Sequence, residues 1–588
     1  MGMMAPITMS SSSFVQPFMN ADYPRVSAYP PLTCLHILPR MSRVVRLIIP
    51  AGVAAVLAAL AIFNLAQADR GIARLARDVD GVPMTLFLPA DSTPHPQSAR
   101  RPAVLVVHGF SGNRQLMYGF GYTLAKNGYV AALIDFAGHG ASLDRLPDSS
   151  AGDAQYQKLA ANIATARAHL RAQPFVDPER VAILGHSMGA SAVSRYGSTH
   201  GDVPVTIALS LGNFGRQLPN DPSRPRNFLI LVGANEFAGF IQGSTAGLTA
   251  AYPDGVPGVT YGSFADGTAR RLIYAPGVEH ISILFSHDVY REVVRWLDQA
   301  FAIGAPDRPV EADSRIGWVL LLYLAAAMGF RPLAALLLRD RAANATTARC
   351  AASGRFVILS ALVAAVVAPV VLQFGDVLYR WMPLTVGNYV GIYFLIYGLI
   401  VGGAYLALQR RQAPAAQPAA AEQGEPAAPA SLGVVNAASS DFALKPALAT
   451  LALTAYALVT FGLTAHLTWT NFALVGDRAW IAGALFACCF VFFLADEWMV
   501  ARASRRARAG LYALTKLIVI ISLIASVGLF GAPGFLLLLA PVIAVLFLWH
   551  GLYSHWLFGM ARQPWIAAIL NAAVLAWVIA ATFAVVQY

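Results

Sequence analysis

Val181-Ala182-Ile183-Leu184-Gly185-His186-Ser187-Met188-Gly189-Ala190-Ser191-Ala192 joins an apolar run, a Gly-x-Ser-x-Gly pentapeptide and a small-residue stretch without a gap. An apolar run of that length, closed by glycine, predicts a buried strand. The small residues that follow suit the start of a helix. Two glycines let the chain turn sharply from one to the other, which exposes the Ser187 hydroxyl. The helix start behind it also favours negative charge developing beside the serine. The pentapeptide alone is common, and a tight structural turn is the alternative. Its position between strand and helix makes Ser187 the candidate nucleophile.

Outward from this stretch the pattern repeats. Short apolar runs at Ala103–Val107, Val130–Ile134, Thr206–Ser210, Phe228–Val232 and Leu272–Tyr274 alternate with helix-like segments such as 153–172 and 286–301. Strands alternating with helices predict an α/β domain: a doubly wound, mostly parallel sheet covered on both faces. Acyl transfer at Ser187 needs backbone donors for an oxyanion. Met188 follows the serine and is one candidate donor. His108-Gly109-Phe110-Ser111-Gly112 follows an earlier strand and offers Phe110 as the other, with His108 read as a brace for the loop. Gly277-Val278-Glu279-His280 follows a late strand and precedes the last helix, which makes His280 the candidate base. Gly233-Ala234-Asn235-Glu236 supplies Glu236 as the candidate acid, with Asp254 and Asp266 as rivals on the long segment 237–270. Glu279 is expected to point away into solvent.

In order, the HGFSG loop, Asp135-Phe136-Ala137-Gly138-His139-Gly140-Ala141-Ser142, the GHSMGAS elbow, the GANE turn and the PGVEH loop resemble the α/β-hydrolase superfamily over roughly residues 80–302. The resemblance implies a serine hydrolase with the order Ser187, Glu236, His280. It implies structural roles for Asp135 and His139. It also implies an ester substrate ahead of an amide. A glutamate in place of the commoner aspartate, and the lack of a sizeable insertion between 211 and 227, set this sequence apart from a lidded lipase.

The rest of the chain is of another kind. Overall it is 57% hydrophobic and 12% charged with a mean hydropathy of +0.56. Soluble globular chains are about 45–50% apolar and about 25% charged. Residues 69–315 hold 22 basic and 22 acidic groups, so the net +11 lies entirely outside them. There the arginines flank apolar runs, the pattern of a membrane protein and not of a nucleic-acid binder. Residues 44–63 form a first span, read either as an uncleaved anchor over 43–66 or as a signal peptide cleaved after Ala66-Gln67-Ala68. Later spans are expected near 316–338, 356–374, 386–408, 447–466, 479–500, 511–530, 534–550 and 565–586. Loops 339–355 and 501–510 carry four arginines each, and 409–446 carries Arg410, Arg411 and Lys445; the alternate loops are poor in charge. That alternation predicts nine spans with residues 69–315 and the C-terminus outside the cytoplasm. Residues 1–42 are expected to be a disordered tail or an over-called start. The Ala/Pro/Gln/Glu-rich stretch 409–445 is expected to be a cytoplasmic linker.

No cysteine falls within 69–315, and no group has zinc-ligand spacing. The expectation is therefore a membrane-integral serine hydrolase. It would need no metal or organic cofactor and would act on a small-molecule or lipid ester at the bilayer. A transporter or assembly protein with a ligand-binding hydrolase-like domain, and an inactive hydrolase-like scaffold, are the rivals. High alanine and arginine content suggests a bacterial source.

Overall fold

In a computed structural model of the chain, the described residues are 43–588 except 91–99, 213–217, 305–307, 339–351, 413–443, 502 and 504–506. The expected tail 1–42 and most of the expected linker 409–445 lie outside them.

Helix α1 (Arg43–Ala68) leads into a hairpin of β1 (Ile72–Val79) and β2 (Val82–Pro89), followed by β3 (Arg101–Val107), α2 (Tyr118–Lys126), β4 (Val130–Ile134) and β5 (Leu146–Pro147). Next come α3 (Asp153–Arg171), β6 (Val176–His186), α4 (Met188–Thr199), β7 (Thr206–Leu209), β8 (Phe228–Gly233), α5 (Ala238–Thr249), β9 (Arg270–Ala275) and α6 (His287–Phe301). The main sheet has eight strands in the order β1-β2-β4-β3-β6-β7-β8-β9. The β1/β2 and β2/β4 pairs are antiparallel and the rest are parallel. Along β3, Val104 and Val106 face a core shared with α2 and α6, while Ala103, Leu105 and Val107 face one shared with α3 and α4. A sheet buried on both faces needs apolar side chains at successive positions, which is why its strands read as unbroken apolar runs. From β3 the chain moves first outward to β4 and then, through α3, back across to β6. The loops after β3 and β6 therefore flank the switch point, where crevices open in such sheets.

Beyond the sheet lie α7 (Ile316–Leu337), α8 (Gly354–Gln373), α9 (Val377–Arg380), α10 (Gly387–Gln412), α11 (Leu444–His466), α12 (Arg478–Ala501), α13 (Arg508–Phe530), α14 (Leu536–Ala561), α15 (Pro564–Thr582) and the strand β10 (Val586–Gln587). Among the described residues nine helices are long and apolar enough to cross a membrane: α1, α7, α8 and α10–α15. α7 runs unbroken through Arg331-Pro332. α14 extends eleven residues past the expected end at 550. Two of its polar residues, His550 and Ser554, are buried: Ser554 donates to Glu497 of α12 and accepts from Asn571 of α15 at 2.9 Å. Asp496 meets Lys516 of α13 at 2.5 Å. Gly398 brings α10 and α12 into close approach, since a Cβ there would stand 2.6 Å from the Phe492 amide nitrogen. Small residues at such contacts are what helices packing in lipid require.

One end of this helical half is fastened to the sheet domain. Asn113 donates to Thr470 at 2.9 Å, and Arg145 pairs with Asp477 at 2.8 Å. β10 runs parallel to β5, with Val586 opposite Leu146. The expected span 565–586 therefore stops at Thr582, and the last residues leave it as a strand. The buried Arg478 guanidinium donates to the carbonyls of Gly138 at 2.6 Å, Phe583 at 2.8 Å and Ala580. The sheet domain, the segments 374–386, 467–477 and 531–535, and the C-terminus thus share one end of the helices.

Hydrogen bonds to a charged group contribute about 1.5–3 kcal/mol each. Arg478→Ala removes the charged donor from three carbonyls, of which Gly138 keeps the Val585 amide, and it is expected to destabilise the detergent-solubilised protein by about 3 kcal/mol or more. Arg478→Lys should recover only part of this, because one ammonium cannot reproduce the planar fork. Thermal unfolding checks it; an unchanged Tm in Arg478→Ala would show that the seam does not depend on this residue.

Candidate active site

β6 ends at His186, and Ser187 turns the chain at φ 55°, ψ −116° before α4 starts at Met188. An L-residue rarely holds that conformation, so its surroundings must enforce it. The Ser187 amide donates to the Leu209 carbonyl at 2.9 Å, and the Ser187 carbonyl accepts from Ser191 at 3.0 Å. A Cβ at Gly185 would collide with the Gly189 carbonyl, and one at Gly189 would lie 2.5 Å from the His108 carbonyl. A Cβ at Gly109 would lie 2.9 Å from both Ser187 Cβ and His186 Nδ1. The loop after β3 therefore passes directly beside the serine because it has no side chain there.

Ser187, His280 and Glu236 come from the ends of β6, β9 and β8 and meet in one chain of hydrogen bonds. His280 Nε2 is 3.0 Å from Ser187 Oγ, and His280 Nδ1 is 2.9 Å from Glu236 Oε1. The carboxylate can only accept, so the imidazole carries its proton on Nδ1. Nε2 is then the acceptor for the Ser187 hydroxyl. Gly233 allows the close approach of the two carrier loops, because a Cβ there would strike the Val278 carbonyl. All three residues are buried. Asp254 and Asp266, the rival acids, are both exposed.

Two partners of this chain escaped the sequence reading. Ser210, at the end of β7, donates to Glu236 Oε2 at 2.8 Å. Phe240 of α5 covers the His280 ring, with centroids 4.2 Å apart. Ser210 was legible in principle as the residue closing the strand next to the elbow. Nothing local marks Phe240.

The other imidazoles brace the site. His108 Nδ1 donates to the Gly109 carbonyl at 2.8 Å, and its Nε2 accepts from the Phe136 amide at 3.1 Å. His186 Nε2 donates to the His280 carbonyl at 2.9 Å. Burial holds His108 below the usual imidazole range and His139 and His186 well below it, so all three stay neutral. Asp135 accepts from the amides of Arg114 at 2.7 Å and Ala141 at 2.8 Å, fixing two loops at once. Glu279 stays out of the hydrogen-bonded chain and is only partly buried. It accepts from the amides of Ile281 at 3.0 Å and Ser282 at 2.8 Å. Burial pushes its carboxyl up, but these donors outweigh it and hold the group below its ordinary value.

Phe110, Ser187 and Met188 line the same cavity, of about 1470 Å³. Among the described residues neither the Phe110 amide nor the Met188 amide has a hydrogen-bond acceptor. Both are therefore available to an oxyanion beside Ser187.

Residues 98–234 match the protein family described as serine aminopeptidase, S33. The match takes in the loop after β3 and the Ser187 elbow and stops short of Glu236 and His280. Two uncharacterized proteins of Mycobacterium tuberculosis, one from each of two strains, are 34% identical over 98 residues. That stretch is 17% of this chain and 32% of each relative, so the chain spans about a third of the length of the curated relatives it matches. Among solved structures, a putative dienelactone hydrolase from Klebsiella pneumoniae is 16% identical, with a TM-score of 0.29, over 39% of this chain and 99% of its own. The α/β hydrolase GrgF from a Penicillium species is 13% identical, with a TM-score of 0.28, over 40% of this chain and 99% of its own. The sheet order, the strand–elbow–helix and the family match over residues 98–234 together give this part of the chain an α/β-hydrolase fold.

Proposed function

We propose that this chain is a membrane-integral serine hydrolase that cleaves an ester, lipid or lipid-linked, through Ser187, His280 and Glu236. The observation that carries the reading is the hydrogen-bonded chain from Ser187 Oγ through His280 to Glu236. Ser187 Oγ attacks the ester carbonyl while His280 Nε2 takes its proton. The carbonyl oxygen becomes an oxyanion held by the amides of Phe110 and Met188. His280 passes the proton to the departing alkoxide as the C–O bond breaks, leaving an acyl group on Ser187. A water then gives its proton to His280 and attacks the acyl carbon. Collapse of that second oxyanion returns the proton to Ser187 Oγ and frees the acid. Glu236 orients the imidazole and stabilises its charged form, and Ser210 holds Glu236. Every proton is returned within the cycle, so the residues present suffice for it.

Ester is favoured over an N-terminal peptide for a chemical reason. An aminopeptidase must hold a protonated amine near the scissile carbonyl. Among the described residues that line the cavity, the only carboxylate is Asp148, which caps the turn at 149–151 by accepting from the Ser150 amide at 2.9 Å. Among the described residues nine helices are long and apolar enough to cross a membrane, which supports a substrate drawn from the esters abundant there, those of lipids. We place the hydrolase domain outside the cytoplasm, on the charge of the loops at the far end of the helices.

Ser187→Ala and His280→Ala should each lower p-nitrophenyl ester turnover by about 10⁶-fold, and Glu236→Gln by about 10⁴-fold. Ser187→Ala should also lose labelling by a fluorophosphonate; persistent labelling would assign the nucleophile elsewhere. Ser210→Ala removes one donor to Glu236 and should lower turnover by about tenfold while labelling survives. For the side of the membrane, alkaline phosphatase fused after residue 302 should be active in a bacterial host, and a green fluorescent protein within 412–440 should fluoresce. The reverse pattern would put Ser187 in the cytoplasm.

A further inference from the structure

The cavity over Ser187 is not walled by the hydrolase domain alone. Its second wall comes from the membrane half: Tyr379 and Arg380 of α9, Val386 before α10, Phe535 and Leu538 at the start of α14, and Tyr588. The two walls touch at the oxyanion loop. The Phe110 ring meets Phe535 edge-on with centroids 5.1 Å apart, and Phe535 in turn stands 6.4 Å from Phe583. Phe110 packs at once against the hydrolase core and the core of the helical half. Its amide and its side chain therefore tie the candidate oxyanion site to the membrane half.

Both walls are mixed in chemistry. The membrane side sets Val386, Phe535 and Leu538 beside Arg380 and Asn388, and the hydrolase side sets Gln155, Arg195 and Asn220 among apolar residues. A cavity that joins an apolar patch to polar groups matches an amphiphile. A second observation says how such a molecule would arrive. Around α9, Phe374 is 84% exposed, Val377 81% and Trp381 54%. Large apolar side chains this exposed, lying between two apolar helices, belong in lipid, and tryptophan favours the membrane interface. Trp381 also lies near Trp480, with ring centroids 6.3 Å apart. The same short helix puts Tyr379 and Arg380 into the cavity. One element thus has an apolar side turned outward and a side that lines the site.

We propose that the membrane half forms the acyl-chain part of the catalytic site. A long-chain ester reaches Ser187 from the bilayer over the α9 lip, with its chain along Val386, Phe535 and Leu538. This rests on the serine-hydrolase reading above. The polar portion of the molecule is left toward Gln155, Arg195 and Asn220, where the product alcohol can leave to water. The substrate class is then a bilayer-resident lipid ester, and the membrane half sets its chain-length preference.

The test uses the full-length protein in detergent micelles with p-nitrophenyl palmitate and p-nitrophenyl acetate, read as the ratio of their kcat/KM values. Leu538→Trp fills the apolar wall and should lower the palmitate-to-acetate ratio by about tenfold or more. Leu538→Ala removes apolar contact without adding bulk and should lower it by about fivefold, which keeps the test open if the tryptophan variant does not accumulate. Val545→Trp, on the outward face of the same helix, should leave the ratio unchanged. An unchanged ratio in both Leu538 variants would overturn the proposal, as would an equal fall in Val545→Trp. Labelling of Ser187 by a short fluorophosphonate separates the two levels. Without labelling in the unmodified protein, the hydrolase reading itself fails; with labelling and an unmoved ratio, only the acyl-chain wall does.

Discussion

The backbone of Ser187 is the constraint on which the rest is arranged. Its conformation, φ 55° and ψ −116°, carries a cost of about 1–3 kcal/mol for a residue with a side chain. The fold holds it there by leaving no alternative. The Leu209 carbonyl fixes the serine amide, α4 fixes its carbonyl, and Gly185, Gly189 and Gly109 clear the space that the turn sweeps through. Those contacts depend in turn on strand register. Val107 lies opposite Gly185 and Leu209 opposite His186, so three strands end at one level. Glu236 and His280 reach the serine because β8 and β9 end nearby in the same parallel array. The hydrogen-bonded chain is thus a property of the sheet edge, and the loops add only the side chains.

The same edge meets the membrane half. Arg478 is the central contact of that seam, and it is unusual in having carbonyls instead of a carboxylate as partners. A buried cation without an acid is tolerable only when its donors are satisfied by oriented dipoles. Gly138 supplies one of those carbonyls, and its amide bonds Asp144 while its own carbonyl also accepts from Val585. The loop after β4 therefore serves the site on one side, through Asp135, and the seam on the other. A displacement at the seam would be felt at the loop after β3 through Arg114, Asp135 and Ala141.

Legibility followed the range of the forces involved. The parallel strands were visible because burial on both faces demands unbroken apolar runs, and the observed bounds differ from them mostly by a residue or two at each end. The β1–β2 hairpin was overlooked. Its outer strand, IARLARDV, has no strict alternation, since apolar pairs are set between charged residues, but Asp80-Gly81, both at positive φ, is a local hairpin signal. The nucleophile elbow is a local motif and could be read directly. Glu236 could be read only as one of three acids, because choosing among them needs the path of 237–270. The membrane-side wall of the cavity was invisible for a stronger reason. Phe110 and Phe535 are far apart in the chain, and neither bears a mark of the other. The end of the last span was obscured because Phe583-Ala584-Val585-Val586 is as apolar as the helix before it. Only pairing with β5 makes it a strand.

Charge distribution and site construction answer to one electrostatic requirement. The seam is a low-dielectric region, where an unpaired cation is costly. The segments that dock there carry few basic groups, and each is committed: Arg380 pairs with Asp376 at 2.8 Å, and Arg478 is held by carbonyls. The basic excess falls in 339–355, 409–446 and 501–510, outside the docking segments. Arginine-rich loops resist translocation, and the docking segments are the ones that lack such clusters. A hydrolase domain of zero net charge can then settle on those segments with its ion pairs already made. Among the described lining residues Arg380 is the one arginine those segments bring to the cavity, and Val386, Phe535 and Leu538 give the same wall its apolar part.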